Sequence, residues 1–280
     1  VNPLTSVHTN EPPKRQLVID ADDARLFDRI IAPSAPIEKH GMTVNEGYRF
    51  IALGESGSGK TSLMRCVVYY TLIKRYARFA LIHDTKGIFP EYPQSIMMTN
   101  VQQFVARGFK PGDVPVVSFR GDVRKDIEVS AESVAALSLA LARKGIQVGG
   151  KWTMNPHVVC IEEISEAATQ GRKSLKAPSV LKLAEQGRKM GVSLVATTQT
   201  PKNMPDDLRN QSTAIAFGRL TGNVGLYLGQ RMGLNPRMIA AINGPEGEGL
   251  PNHQFVLYIK GEPWDGKVHT LNRKTVELFE

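Results

Sequence analysis

From Tyr48 onward the chain alternates short, unbroken apolar runs with longer stretches in which apolar residues recur every three or four positions. The runs are RFIALG (49–54), FALIHD (79–84), VPVVSF (114–119), HVVCIE (157–162), VSLVATT (192–198), TAIAFG (213–218) and HQFVLYI (253–259), with QSIMMT as a weaker candidate. A strand with one face in water alternates apolar and polar residues. Unbroken runs are the pattern of strands covered on both faces, as in a parallel sheet. Between the runs, Leu63, Cys66, Val67, Tyr70 and Ile73 form one helical stripe, and Val134, Leu137 and Leu141 form another. The pattern predicts a three-layer α/β domain with a mostly parallel sheet. The loop GPEGEGLP (244–251) sets off a C-terminal piece whose last strands are expected to be antiparallel.

Residues 1–47 read differently. Prolines recur at positions 3, 12, 13, 33 and 36, around a short strand expected over Gln16–Ile19 and a helix expected over Asp22–Ile31. Leu26, Phe27, Ile30 and Ile31 share one face of that helix, so this segment is read as an N-terminal arm that packs on the core or on a neighbouring subunit. Residues 48–280 are read as one domain.

Composition narrows the class. Hydrophobic residues make up 41% of the 280-residue chain and charged residues 22%, the balance of an ordinary soluble globular protein. No apolar run approaches the roughly 18 residues of a membrane span, and VNPLTSVHTNEPPKRQ lacks a signal-peptide core. A soluble, intracellular protein is expected. Cys66 and Cys160 both fall in apolar patterns and read as small buried hydrophobes in a reducing compartment. The formal charge of +8 favours a polyanionic partner, nucleic acid first, although charge also serves plain solubility.

Candidate chemistry begins after the first run. Gly54, Glu55, Ser56, Gly57, Ser58, Gly59, Lys60, Thr61 and Ser62 spell GESGSGKTS, a full P-loop pattern set between an expected strand and an expected helix. The glycines let backbone N–H groups turn inward around phosphate oxygens, and the helix adds the positive end of its dipole. Lys60 is placed to reach the β- and γ-phosphates, and the Thr61 hydroxyl to ligate Mg²⁺.

The run VVCIEE then ends on two adjacent carboxylates. A P-loop needs a second strand ending in an acid that holds Mg²⁺, and hydrolysis needs a group that orients the attacking water. Glu162 is assigned to Mg²⁺ and Glu163 to water activation, with the metal and Lys60 making the paired charges tolerable. The absence of an Asn-Lys-x-Asp guanine-reading motif favours ATP over GTP.

The segment EQGRKMGVSLVATTQTP (185–201) adds a third strand ending in Gln199, a polar amide suited to sensing the γ-phosphate or holding the lytic water, or simply to capping the turn at Pro201. Taken together, GESGSGKT, VVCIEE, the GRKMGVSLVATTQTP block, TAIAFGRL after it and HDTKG at 83–87 resemble the HerA–FtsK superfamily of P-loop ATPases over roughly residues 48–220. The resemblance implies a RecA-like core assembled as a ring, usually a hexamer, with DNA passing through the centre and ATP between subunits. It also implies an arginine reaching the site from the neighbouring subunit. Arg188 is the candidate by motif position and Arg219 the runner-up; Arg188 also reads as a helix C-terminal cation before Gly191. The family's acidic strand end is typically Asp-Glu, whereas here it is Glu-Glu. The extra methylene changes how the first carboxylate reaches a metal, which bears on how the pair divides its work.

Between Glu166 and Lys189 six basic residues stand against two acidic ones, and Arg172, Lys173 and Lys176 are the DNA-contact candidates of a pore-facing loop; a solvated basic helix face is the other reading. No aromatic residue lies there, so base stacking is not indicated and double-stranded DNA is favoured. A stand-alone chain of this kind resembles the genome-packaging ATPases of membrane-containing icosahedral viruses. For such a protein, capsid or membrane-vertex partners and a location in host cytoplasm or virion are expected. A plasmid, conjugative or chromosomal DNA translocase or helicase is the alternative, and a non-motor ATP-binding switch is a further one.

Overall fold

The seven apolar runs and the weaker eighth become strands of one nine-stranded sheet. The computed structural model describes residues 19–32, 36–39, 42–85, 95–107, 116–120, 127–148, 151–167, 170–171, 174–175, 178–220, 223–244 and 247–279. The sheet strands are β1 (Arg49–Leu53), β2 (Ala80–His83), β3 (Ser95–Met98), β4 (Val116–Phe119), β5 (His157–Ile161), β6 (Val192–Thr198), β7 (Ala214–Phe217), β8 (Gln254–Ile259) and β9 (Val268–Thr270). Their order is β9-β8-β7-β1-β6-β5-β2-β4-β3. All pairs from β7 to β3 are parallel, while β8 and β9 are antiparallel additions at one edge. The expected α/β class, parallel centre and antiparallel C-terminal strands are all found. The weak candidate QSIMMT supplies the opposite edge strand.

Two hydrophobic layers explain the unbroken apolar runs. Successive side chains of a strand point to opposite faces. In β5, Val158 and Cys160 join one core, and Val159 and Ile161 join the other. The first core lies under α1 (Ala21–Ile31), α2 (Lys60–Ile73) and α10 (Arg273–Phe279). The second lies under the helices of the opposite face: α3 (Val101–Ala106), α4 (Ile127–Lys144), α5 (Ile164–Ala167), α6 (Pro178–Gln186), α7 (Asp206–Gln211), α8 (Val224–Met232) and α9 (Pro236–Asn243). Most positions along a central strand are therefore apolar, and the polar ones, such as Arg49, His157 and Ser193, are buried too. No helix among the described residues is long and apolar enough to cross a membrane.

The helix expected in the N-terminal arm is α1, and it packs on α2 of the same chain. Asp20 caps it, accepting from the Asp22 and Asp23 N–H groups at 2.9 and 3.4 Å. Leu26, Phe27, Ile30 and Ile31 are buried in the same core as Tyr48 and the α2 stripe. Burial raises the Asp23 carboxyl above its ordinary pKa. Its Oδ2 accepts from the Asn272 N–H at 3.1 Å, fastening α1 to the start of α10. The strand expected over Gln16–Ile19 falls outside the described residues, apart from Ile19.

Arg49, at the foot of β1, locks the loop-bearing strand to its neighbours. Its guanidinium donates to the carbonyls of Tyr48, Leu183, Ala184 and Val192 at 2.7–2.9 Å. Two of these acceptors, the Leu183 and Ala184 carbonyls, belong to the last turn of α6. Burial, and the nearby Arg188, lower the Arg49 pKa to about 9, which leaves it charged at neutral pH.

Candidate active site

Three strand ends meet at the carboxyl edge of the parallel sheet, where ligands of open α/β sheets bind. β6 lies between β1 and β5, so the P-loop after β1, Gln199 after β6 and the acid pair after β5 stand side by side. Ser56, Gly57, Gly59, Lys60, Thr61, Ser62, Glu163, Gln199 and His253 line one cavity of about 220 Å³.

The loop has the form its glycines permit. Gly57 and Gly59 adopt left-handed backbone, φ +77° and +88°. Gly59 caps α2 without a side-chain hydrogen bond, and the first turn of α2 carries no acid. The helix N-terminus thus presents backbone donors and its positive dipole end to the cavity. Lys60 Nζ donates to the Glu55 carbonyl at 2.6 Å. Behind the loop, the Glu55 N–H bonds the Arg219 carbonyl at 2.8 Å and the Gly54 N–H bonds the Thr198 carbonyl at 3.3 Å.

The two glutamates part company at the end of β5. Glu162, 2% exposed, keeps the strand's alternation and faces the α2 layer with Val158 and Cys160. Its Oε2 accepts from the Thr85 N–H at 3.1 Å and the Thr85 hydroxyl at 3.0 Å. Buried Arg65 lies one helical turn beyond Thr61. Burial pushes the Cys160 thiol well above its ordinary pKa; Glu162 and Asp84 push it the same way and Arg65 opposes them, which places all three charges around that thiol. Buried Arg65 thus adds a positive charge on the same side as Glu162 and Asp84, beyond the partners expected from the sequence.

Glu163 turns the other way. Its backbone is left-handed, φ +51°, and the turn swings its carboxylate into the cavity. Gln199 holds both oxygens, the side-chain amide donating to Oε1 at 2.8 Å and the backbone N–H to Oε2 at 3.0 Å. Gln199, expected to act on the γ-phosphate or lytic water, is therefore also the residue that aims Glu163. Glu162 does not line the cavity in this structure.

The two candidate arginines occupy opposite ends of the sheet. Arg219 belongs to its own P-loop: its Nε is 3.7 Å from Glu55 Oε2 and its Nη2 donates to the Ser56 carbonyl at 3.4 Å. Arg188 sits in a 3₁₀ turn (Gly187–Met190) just before β6. It is half-exposed and pairs with Glu46 at 3.3 Å. The seven residues of β6 separate it from Gln199 by about 20 Å, so it does not reach its own P-loop. Arg172, Lys173 and Lys176 lie outside the described residues.

His253 was not anticipated. Among the described residues only Arg75, Glu163 and His253 are non-glycines with left-handed backbone, and two of the three line this cavity. Nothing near position 253 in the sequence signals that role; the register of β8 and β9 brings it over the loop.

The fold and the site define the architecture of a P-loop NTPase with an extra strand between the loop strand and the acid strand. No protein-family model matches the chain, and no curated protein matches it. Solved structures do. The genome packaging NTPase B204 from Sulfolobus turreted icosahedral virus 2, in complex with sulfate, is similar with a TM-score of 0.56 and 16% identity, over 81% of this chain and 98% of that one. The same NTPase in complex with ATP-gammaS gives a TM-score of 0.55 at 14% identity, over 82% and 100% of the two chains. B204, the DNA-packaging ATPase from Sulfolobus Turreted Icosahedral Virus, gives 0.50 at 15% identity, over 77% and 94%. The resemblance expected from the motifs is thus found in the fold: the chain shares its α/β architecture with these solved structures.

Proposed function

We propose that the chain is an Mg²⁺-dependent ATPase that moves double-stranded DNA and packages a viral genome into a preformed capsid. The observation that carries the ATPase reading is the convergence of the P-loop, Glu163 and Gln199 on one cavity. The P-loop N–H groups and Lys60 bind the phosphates, and Gln199 fixes the Glu163 carboxylate as the acceptor that orients and deprotonates the attacking water.

Among the described residues no cluster of three or more His, Cys, Asp or Glu makes a preformed metal site. The oxygen donors present fit Mg²⁺, which keeps several waters and is held by few protein ligands together with substrate phosphates. Thr61, which lines the cavity, would hold it directly, and Glu162, buried outside the cavity lining, would reach it through a bound water. The ion would neutralise charge on the β- and γ-phosphates.

The motor reading rests on three supports. The similar solved structures are a genome packaging NTPase and a DNA-packaging ATPase. The chain carries a net charge of +8. Arg188, remote from its own loop and half-exposed, suits a ring in which it enters the neighbour's site and stabilises charge on the γ-phosphate. In such a ring, a hexamer by resemblance, Arg172, Lys173 and Lys176 would face the DNA, and capsid or membrane-vertex proteins would be further partners.

The test is the rate of ATP hydrolysis with and without duplex DNA. Stimulation by duplex, abolished in Lys60→Ala, supports a DNA motor. Turnover indifferent to any DNA rules it out, and ATP binding without turnover assigns the switch. Packaging predicts ATP-dependent protection of duplex from nuclease only when empty capsids are supplied; translocation without capsid dependence assigns the plasmid or chromosomal alternative.

A further inference from the structure

We infer that His253 is a nucleotide-contacting residue, its imidazole making a hydrogen bond to the α/β-phosphate part of the bound nucleotide; the inference rests on the nucleotide-binding reading above. Three observations carry it. The side chain lines the same cavity as the P-loop, Glu163 and Gln199. The ring stands directly over the loop: a Cβ built on Gly59 would lie 2.7 Å from its Nδ1 and 3.1 Å from its Cα. Its backbone is left-handed, φ +60°, which a non-glycine residue adopts only when its surroundings impose it.

Those surroundings are identifiable. The His253 N–H donates to the Ser58 carbonyl at 3.1 Å, and its own carbonyl accepts from the Leu271 N–H at 3.1 Å. One bond ties it to the loop and the other to the segment after β9. Next in the chain, Gln254 pairs with Thr270 in the β8–β9 ladder. The antiparallel edge of the sheet therefore delivers one imidazole to the phosphate cradle at a fixed position. A P-loop's backbone N–H groups enclose the α- and β-phosphates. A ring packed on Gly59 adjoins that part of the nucleotide, and either ring nitrogen can serve as the donor.

The experiment measures ATP, ADP and adenosine binding by calorimetry to the wild-type chain and to His253→Ala, His253→Asn and Lys60→Ala, with apo melting temperatures alongside. His253→Ala is expected to weaken ATP and ADP by similar factors, each about tenfold, the value of one phosphate hydrogen bond. Any adenosine affinity should stay unchanged. His253→Asn tolerates left-handed backbone and can donate, so it should recover part of the loss. Unaltered ATP affinity in His253→Ala, beside a loss in Lys60→Ala, overturns the inference and leaves the ATPase reading standing. A loss of affinity that Asn does not relieve and that tracks a fall in apo melting temperature makes the residue purely structural and also overturns it. A wild-type chain that binds neither ATP nor ADP overturns both.

Discussion

Gly57 and Gly59 offer a matched pair for testing the loop geometry. Both are left-handed, but a Cβ on Gly57 meets nothing within 4 Å, whereas one on Gly59 meets His253 at 2.7 Å (Nδ1) and 3.1 Å (Cα). Gly57→Ala should cost only the left-handed placement of an L residue, about 1–2 kcal/mol. Gly59→Ala incurs that and must also displace His253. The ring can rotate, but the Cα is pinned by the bonds to Ser58 and Leu271. Weakening both adds about 2 kcal/mol, at about 1 kcal/mol each. For a domain of this size the difference is roughly 4–8 °C in melting temperature. Thermal unfolding of the apo variants reads the gap. Pairing Gly59→Ala with His253→Gly should recover part of it, because the two residues are in contact and their effects do not add. Equal melting temperatures for Gly57→Ala and Gly59→Ala would refute the close packing of His253 on the loop.

Other consequences follow from the same geometry. Arg49→Met leaves buried carbonyls at the end of α6 without their donor, so stability should fall by about 3–5 kcal/mol, roughly 10 °C; melting within a degree or two of wild type contradicts this. Burial lowers the pKa of His83 and His157 to about 4 from the ordinary 6.5, so the folded chain holds them neutral. The unfolded chain takes up those protons first as pH falls. Stability is therefore fully present above pH ~6.5 and is lost toward pH ~4, by up to about 3 kcal/mol for each histidine; urea midpoints that stay flat across that window contradict it. Mixing Arg188→Ala subunits into wild type should depress ATPase activity more than in proportion to their fraction, while a linear decline places the arginine's role within its own subunit. Melting should barely move, since the Glu46 pair is half-exposed.

Eight of the nine strands were legible in the sequence because a sheet covered on both faces is apolar at most positions; β9 (Val268–Thr270), short and half-exposed at the edge, leaves no such run. The P-loop was legible because its spacing is local: every donor comes from consecutive residues. The acid pair and an expected division of its work were legible, but the geometry that separates the two carboxylates was not. That separation depends on the left-handed turn at Glu163 and on Thr85, just past the end of neighbouring β2, neither of which the motif encodes. Arg65 carries no signal in the sequence; its burial in α2 brings its charge to bear on Cys160 against those of Glu162 and Asp84. Arg219 could not be separated from Arg188 by spacing; the sheet puts one on the loop and the other at the far end of β6. His253 is joined to the loop through the antiparallel edge of the sheet, a long-range pairing that leaves no periodic trace.

The central claim is that Glu163, aimed by Gln199, activates water beside a P-loop that binds ATP independently of it. Single-turnover hydrolysis and ATP binding, measured side by side in wild type, Glu163→Gln and Glu162→Gln, test it most directly. Glu163→Gln should bind ATP as wild type does and hydrolyse it at least about 100-fold more slowly, the scale of a lost general base. Glu162→Gln should instead raise the Mg²⁺ concentration needed for activity. Near-normal hydrolysis in Glu163→Gln, with the loss appearing in Glu162→Gln, would instead make Glu162 the group that activates water.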